Sequence, residues 1–211
     1  SDVCSSDLFG RISGMLETAE NLAKSHNITR ERQDEFALHS HKKAVTAIEQ
    51  GKFNQEIVPV LIPQRKGNSI TFDTDEGPRS DTSMDKLAKL RPVIENGTVT
   101  AGNASSQNDA ASVCLVVAAD KLEELSLQPM AYLKGWATSG VHPACMGIGP
   151  VPAVEKLFEK TGLAWKDIDL IEINEAFSAQ VLAVLQEWEL PNEDIVNVNG
   201  SGISLGHPIA A

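Results

Sequence analysis

Short apolar runs alternate with helix-period segments through the second half of this chain, and that order leaves few folds open. Val113 to Ala118 reads as a buried strand, Asp120 to Leu127 as a short helix and Ala131 to Thr138 as a further strand. Val151 to Thr161 reads as a helix, with Pro152 tolerated in its first turn and Val154, Leu157 and Phe158 facing inward. Asp169 to Ile173 is strand-like. The next segment sets Phe177, Val181, Val184, Leu185 and Trp188 on one side of a helix, and Ile195 to Val198 closes the series as a strand. A β-α-β-α-β order implies an α/β fold, a largely parallel sheet covered by helices. In such sheets chemistry gathers at the carboxyl ends of the strands and in the adjoining loops.

The first half is more mixed. Thr29 is placed to cap a helix running to about Gly51, with Phe36, Ala37, Ala44, Val45 and Ile48 as its apolar stripe. Glu56 to Ile62 and Ser69 to Asp73 read as short strands, the first an edge or irregular one because of Pro59. Residues 73–85, with Gly77, Pro78 and Ser80 among acidic groups, form a solvated loop. At 211 residues and 42% hydrophobic, the chain can bury a sizeable core. A net charge of −11 argues against binding nucleic acid through a broad basic surface. It does not forbid a local grip on an anionic ligand.

The three cysteines, Cys4, Cys114 and Cys145, suit a reducing compartment, the cytoplasm or an organellar matrix. Cys114, inside Val113-Cys114-Leu115-Val116-Val117, is expected to be a buried, inert thiol. No apolar stretch reaches ~18 residues, so no membrane span is expected. The opening Ser1 to Leu8 lacks the basic flank and apolar core of a secretion signal. Residues 1–11 stand apart in character from the rest of the chain, as an expression scar would.

Three segments place polar or small residues where chemistry would sit. In Ile171-Glu172-Ile173-Asn174-Glu175-Ala176-Phe177-Ser178, Asn174 falls at the strand end and can point into a cleft. The local pattern alone favours a helix cap. In Asn197 to Pro208, Gly200, Gly202 and Gly206 permit close backbone approach, and Pro208 restricts His207 to an extended or turn conformation. A neutral imidazole there suits taking a proton from a thiol or an α-carbon; the alternative is a turn histidine bonded to backbone. Neither G-x-x-x-x-G-K-[ST] nor G-x-G-x-x-G occurs, so the loop lacks a phosphate-cradling pattern. Gly97 to Asp109 is small and polar. It reads as a surface connection or, since bulk would cost little there, as the wall of a ligand tunnel.

These residues resemble a known family. Asn174-Glu175-Ala176-Phe177 is similar to the N-E-A-F motif of the thiolases, and Gly206-His207-Pro208 to their G-H-P motif. Thr98 to Asn108 resembles the T-V-T-A-G-N-A-S segment, and Thr18-Ala19-Glu20-Asn21 the T-A-E-N helix start. Lys89-Leu90-Arg91-Pro92 and Met146-Gly147-Ile148-Gly149-Pro150 match in order and spacing, so the resemblance runs from about Ile12 onward. It implies a five-layer α-β-α-β-α fold, present here in part. Residues 12–108 would form the partial loop domain that grips coenzyme A, 109–127 the last strand and helix of the N-terminal half, and 128–211 the C-terminal half.

The resemblance also implies roles. Arg79 would meet the adenine end of coenzyme A, Ala101 and Ser105 its pantetheine arm, and Met15, Ala176 and Phe177 would line the tunnel. His207 would activate a nucleophilic cysteine and, with a water held by Asn174, form an oxyanion hole. The substrates implied are acetyl-CoA, acyl-CoA or 3-ketoacyl-CoA, with no metal or further cofactor, in a homodimer or homotetramer. The sequence departs from the family in its thiols: none of Cys4, Cys114 or Cys145 matches either reactive position, which would lie before residue 1 and beyond Ala211. Gly14 stands where some relatives have histidine, and Ala210 where many have glycine. Taken alone, the chain is expected not to turn over. Two alternatives are a ketosynthase-type condensing enzyme, which lacks N-E-A-F, and a non-catalytic acyl-CoA-binding relative, which lacks one or both cysteines in its complete gene.

Overall fold

The computed structural model describes residues 14–209. Residues 1–11, with Cys4, and Ala210 therefore lie outside the described residues. The chain opens with α1 (Met15–Ser25) and α2 (Arg30–Glu49). The Thr29 hydroxyl oxygen accepts from the Arg32 N–H at 3.2 Å, the cap expected there, and the helix stops just before Gly51. Ala37, Ala44 and Ala47 are buried on α2, and their small side chains let neighbouring segments approach its axis closely. The helices are followed by the hairpin β1 (Val60–Ile62) and β2 (Ile70–Phe72), shorter than the sequence suggested. The pair is antiparallel with Leu61 opposite Thr71, and both strands are exposed on both faces.

α3 (Met84–Ala88), capped by the Ser83 hydroxyl, interrupts the next loop. Later come α4 (Pro150–Thr161), α5 (Ser178–Trp188) and the single turn α6 (Gly202–Leu205). α5 is buried over its length except at Gln186 and Glu187, which makes it the central helix rather than an amphipathic cover. Ala183 and Leu182 join Leu22, Ile28, Ala144 and Cys145 in one core cluster. Val181, Val184, Leu185 and Trp188 join Ile173 and Val196 in the other. Trp165 stands 5.0 Å from Trp188 and 4.9 Å from Phe158, which ties α4 to α5. The inward face expected for α4 is therefore correct, though its residues are only half-buried.

The strands of the second half depart from expectation. Val113 to Ala118 pairs with no strand among the described residues; Val113 is 99%, Leu115 76% and Val116 82% exposed. Cys114 is consequently an exposed thiol, not a buried one. Ala131 to Thr138 is likewise unpaired, with Tyr132, Leu133 and Trp136 exposed. The helix expected from Asp120 to Leu127 is a 3-10 turn, Ala119–Lys121, followed by irregular turns. The physical reason is common to the two strand-like runs: a strand exists only with a hydrogen-bonded neighbour, and no described segment pairs with either of them. Asp169 to Ile173 and Ile195 to Val198 do meet in the parallel sense, but by one bridge, Ile171 to Val196. One residue pair further on, the Asn197 side chain takes the place of a ladder. Its amide donates to the Ile173 carbonyl and its oxygen accepts from the Ile173 N–H, each at 2.8 Å. No helix among the described residues is long and apolar enough to cross a membrane.

Candidate active site

The small-residue segment 103–108 is the spine of the site. The Ser105 N–H donates to the Ala176 carbonyl at 2.9 Å, and the Ser178 N–H donates to the Asn103 carbonyl at 2.9 Å. Farther along, the His207 N–H donates to Ser106 O at 3.0 Å and the Asn108 N–H donates to His207 O at 3.3 Å. One stretch of backbone thus holds the 174–178 segment on one side and the 206–208 segment on the other. This is why Ser105, Ala176, Phe177 and His207, remote in sequence, come together.

The spine is itself anchored from behind. Glu20 of α1 accepts from the N–H groups of Thr98 and Val99 at 2.6 and 2.7 Å and from the Thr98 hydroxyl at 2.9 Å. Asn103, fully buried, accepts from the Thr100 N–H at 2.8 Å and donates to Asp34 of α2 at 2.9 Å. Two helices therefore fix the loop that carries Ala101 and Ser105. Sequence reasoning missed both anchors, although Glu20 lies within the Thr18 to Asn21 motif.

Asn174 does not cap a helix. α5 begins at Ser178 with Phe177 in the capping position, so the cap suggested by local pattern is overturned. Exposure alternates along Glu172, Ile173, Asn174 and Glu175, with Ile173 and Glu175 buried. The segment is extended, so Asn174 faces outward while Glu175 faces the core. Asn174 lies against α6: a Cβ on Gly202 would fall 2.5 Å from the Asn174 side-chain oxygen, so only glycine permits this approach. Gly206 has φ +96°, a conformation costly for other residues, and it turns the chain out of α6 directly into His207. His207 is half-buried.

The remaining predicted residues lie farther out. Arg79 is exposed; its backbone N–H donates to Nδ1 of the buried His41 on α2 at 3.1 Å. Met15 is exposed at the start of α1, and Ala101 is exposed in the turn before Gly102. A cleft of about 440 Å³ opens between the base of the hairpin and α6, lined by Phe53, Ile57, Val58, Phe72, Asp75 and Leu205. Among the described residues, no three His, Cys, Asp or Glu side chains are grouped to hold a metal ion.

His41 carries a testable pH dependence. Burial and then the Arg79 charge push its pKa below the usual histidine value, while Asp81 pulls it up. A folded-state pKa below that of the unfolded chain gives stability that is present above ~6.5 and is lost as pH falls through the folded value. Its Nδ1 must also be unprotonated to accept from Arg79. Replacing His41 with Asn is expected to flatten the fall in the urea midpoint between roughly pH 7 and pH 5. Equal slopes in variant and parent would count against the assignment.

Family models decide the affiliation of this arrangement. That for the thiolase N-terminal domain matches residues 7–120, and that for the thiolase C-terminal domain matches residues 127–211. The chain belongs to the thiolase family. It is 53% identical over 195 residues to a probable acetyl-CoA acyltransferase of Staphylococcus aureus, covering 92% of this chain and 49% of that protein. Among solved structures, the Bacillus anthracis acetyl-CoA acetyltransferase matches with a TM-score of 0.85 at 50% identity, covering 92% of this chain and 49% of that one. Human mitochondrial 3-ketoacyl-CoA thiolase matches with a TM-score of 0.82 at 41% identity, over the same shares. The chain spans about half the length of the relatives it matches, so its fold is a partial thiolase fold of α/β class.

Proposed function

We propose that this chain supplies the base, the oxyanion partner and the coenzyme A grip of a thiolase-type acyl transfer. The observation that carries the reading is the backbone ladder of residues 103–108, which holds Ala176 and Phe177 on one side and His207 on the other and leaves Asn174 exposed against α6. In this reading a cysteine thiolate attacks the carbonyl carbon of an acyl-CoA or 3-ketoacyl-CoA. His207 accepts the thiol proton of that nucleophile, and the second reactive cysteine exchanges a proton with the substrate α-carbon or the departing thiol. Asn174 orients a water that, with His207, donates to the thioester oxygen as negative charge builds there. Ser105 and Ala101 flank the pantetheine arm, Met15, Ala176 and Phe177 line its path, and Arg79 meets the nucleotide end.

The same reading divides the chain into a loop domain through residue 108, the close of the N-terminal half at 109–127 and the C-terminal half beyond. It makes acyl-CoA thioesters the substrates, needs no metal, and fits a homodimer or homotetramer. The bacterial relatives support a cytoplasmic setting. The deciding experiment expresses the complete reading frame and looks by mass spectrometry for an acylated cysteine after acetyl-CoA is added. Cysteines at both family positions and a trapped adduct are expected; a complete protein with neither would overturn the catalytic reading and leave a binding protein.

Arg79→Ala tests the grip separately. An exposed charge-assisted contact to a phosphate or adenine edge is worth about 1.4 kcal/mol, so coenzyme A affinity should fall by roughly tenfold. The rate of the acylation step at saturation should stay within about twofold, because Arg79 takes no part in the proposed proton transfer. Unchanged affinity by calorimetry would remove Arg79 from the nucleotide site.

A further inference from the structure

Glu175 is 1% exposed, and its carboxyl group joins three separate parts of the fold. Oε1 accepts from the Asn197 side-chain amide at 3.0 Å. Oε2 accepts from the Ser40 hydroxyl of α2 at 2.5 Å and from the backbone N–H of Ile203 in α6 at 3.3 Å. Ser40 Oγ is also 2.8 Å from Ser204 Oγ, which in turn lies 3.2 Å from the Ser201 carbonyl. A hydrophobic side chain would fill this space at lower desolvation cost, so what the carboxyl group adds is direction.

We propose that Glu175 is the positioning residue for His207, holding α6 through a serine chain that is satisfied with the carboxyl group either charged or neutral. Ser40 owns one hydroxyl proton and cannot donate to both neighbours. With Glu175 ionised, Ser204 donates to Ser40 and Ser40 donates to Glu175. With Glu175 protonated, its hydroxyl donates to Ser40, Ser40 to Ser204, and Ser204 to the Ser201 carbonyl. No hydroxyl proton is left without an acceptor in either state. The two states differ at Ile203, whose N–H faces a carboxylate oxygen in one and a weaker hydroxyl acceptor in the other.

The position of α6 makes this difference matter. The turn is one residue from Gly206 and two from His207, and its first residue packs against Asn174. His207 is therefore approached from one side by the 106–108 ladder and from the other by α6, whose Ile203 N–H donates to Glu175. Burial pushes the Glu175 pKa up, against the opposing effects of the Ser40, Asn197 and Ile203 donors and the Lys43 charge, so the neutral form is accessible. Lys43 of α2 is the charged group acting on it; residues 196–206 contribute none. The inference rests on reading His207 as the base.

The experiment compares the complete protein with its Glu175→Gln variant, and with Ser40→Ala as a second route into the same network. Glutamine donates to Ser40 as the neutral carboxyl group does and still accepts from Asn197, so the fold should persist. The expected result is roughly tenfold faster amide exchange at Ile203 in Glu175→Gln, the loss of one hydrogen bond. The parent's His207 resonances should report a pH inflection that originates at Glu175 and that the variant lacks. Ser40→Ala should shift that inflection by disconnecting the chain. Unchanged exchange at 203–207 with identical His207 titrations in all three proteins would overturn the proposal. Failure of the base reading would show differently: His207→Ala would still form acyl-enzyme while the coupling to Glu175 remained measurable.

Discussion

Replacing His207 with alanine in the complete protein is expected to slow acyl-enzyme formation by about 10²–10⁴-fold, the range over which a positioned general base acts. The thiolate rather than the thiol attacks, so without the imidazole the reaction waits on spontaneous ionisation of a group with an ordinary pKa of ~8.5. The residual rate should therefore climb steeply with pH up to that value, whereas the parent rate levels off lower. Coenzyme A affinity should be nearly unchanged. The backbone of residue 207 is held in both directions by Ser106 and Asn108, so truncating the ring leaves the loop in place. The proposed nucleotide and pantetheine contacts at Arg79 and Ser105 belong to other segments. Quench-flow with labelled acetyl-CoA reads the rate and calorimetry the affinity. Acyl-enzyme appearing at the parent rate would take the base role away from His207.

The parts of this fold that were legible in the sequence are those whose partners are local. α2 begins at the threonine that caps it, and α4 and α5 follow their apolar periodicity, because a helix closes its hydrogen bonds within itself. The run at 113–118 has a strand's composition, but its hydrogen bonds must come from another segment and none of the described residues supplies them. The site divides in the same way. His207 and Asn174 stand out because glycine, proline and a strand end surround them. Glu20, Asp34, Ser40 and His41 sit on helices where a polar residue reads as solvated surface, and only the folded arrangement turns them inward. Glu175 is an intermediate case. Once Asn174 is taken to face the cleft from an extended segment, the period of two already turns its neighbour towards the core.

The anchor beneath the proposed coenzyme A face should be the most sensitive point for stability. Arg30 Nε donates to Asp34 Oδ2 at 2.8 Å, and the Asp34 side chain is only 2% exposed. Its Nη2 donates to the carbonyls of Leu87 and Leu90 at 2.7 and 3.1 Å, closing the end of α3 against α2. Asp34 in turn receives the Asn103 amide that shapes the spine of the site. Arg30→Met leaves a buried carboxylate without its cation and should cost about 3–5 kcal/mol in the urea midpoint, with the slope unchanged. Arg30→Met combined with Asp34→Leu should cost less than Arg30→Met alone, since the stranded charge is gone. Asn103 keeps its second acceptor, the Thr98 carbonyl at 3.1 Å, so the double variant strands only one of that amide's two N–H donors. A double-mutant cycle should then return a coupling above about 1 kcal/mol, as expected for residues in one buried network. A single-variant loss below about 1 kcal/mol would place the pair with ordinary surface ion pairs and leave the loop's rigidity to Glu20 and Asn103.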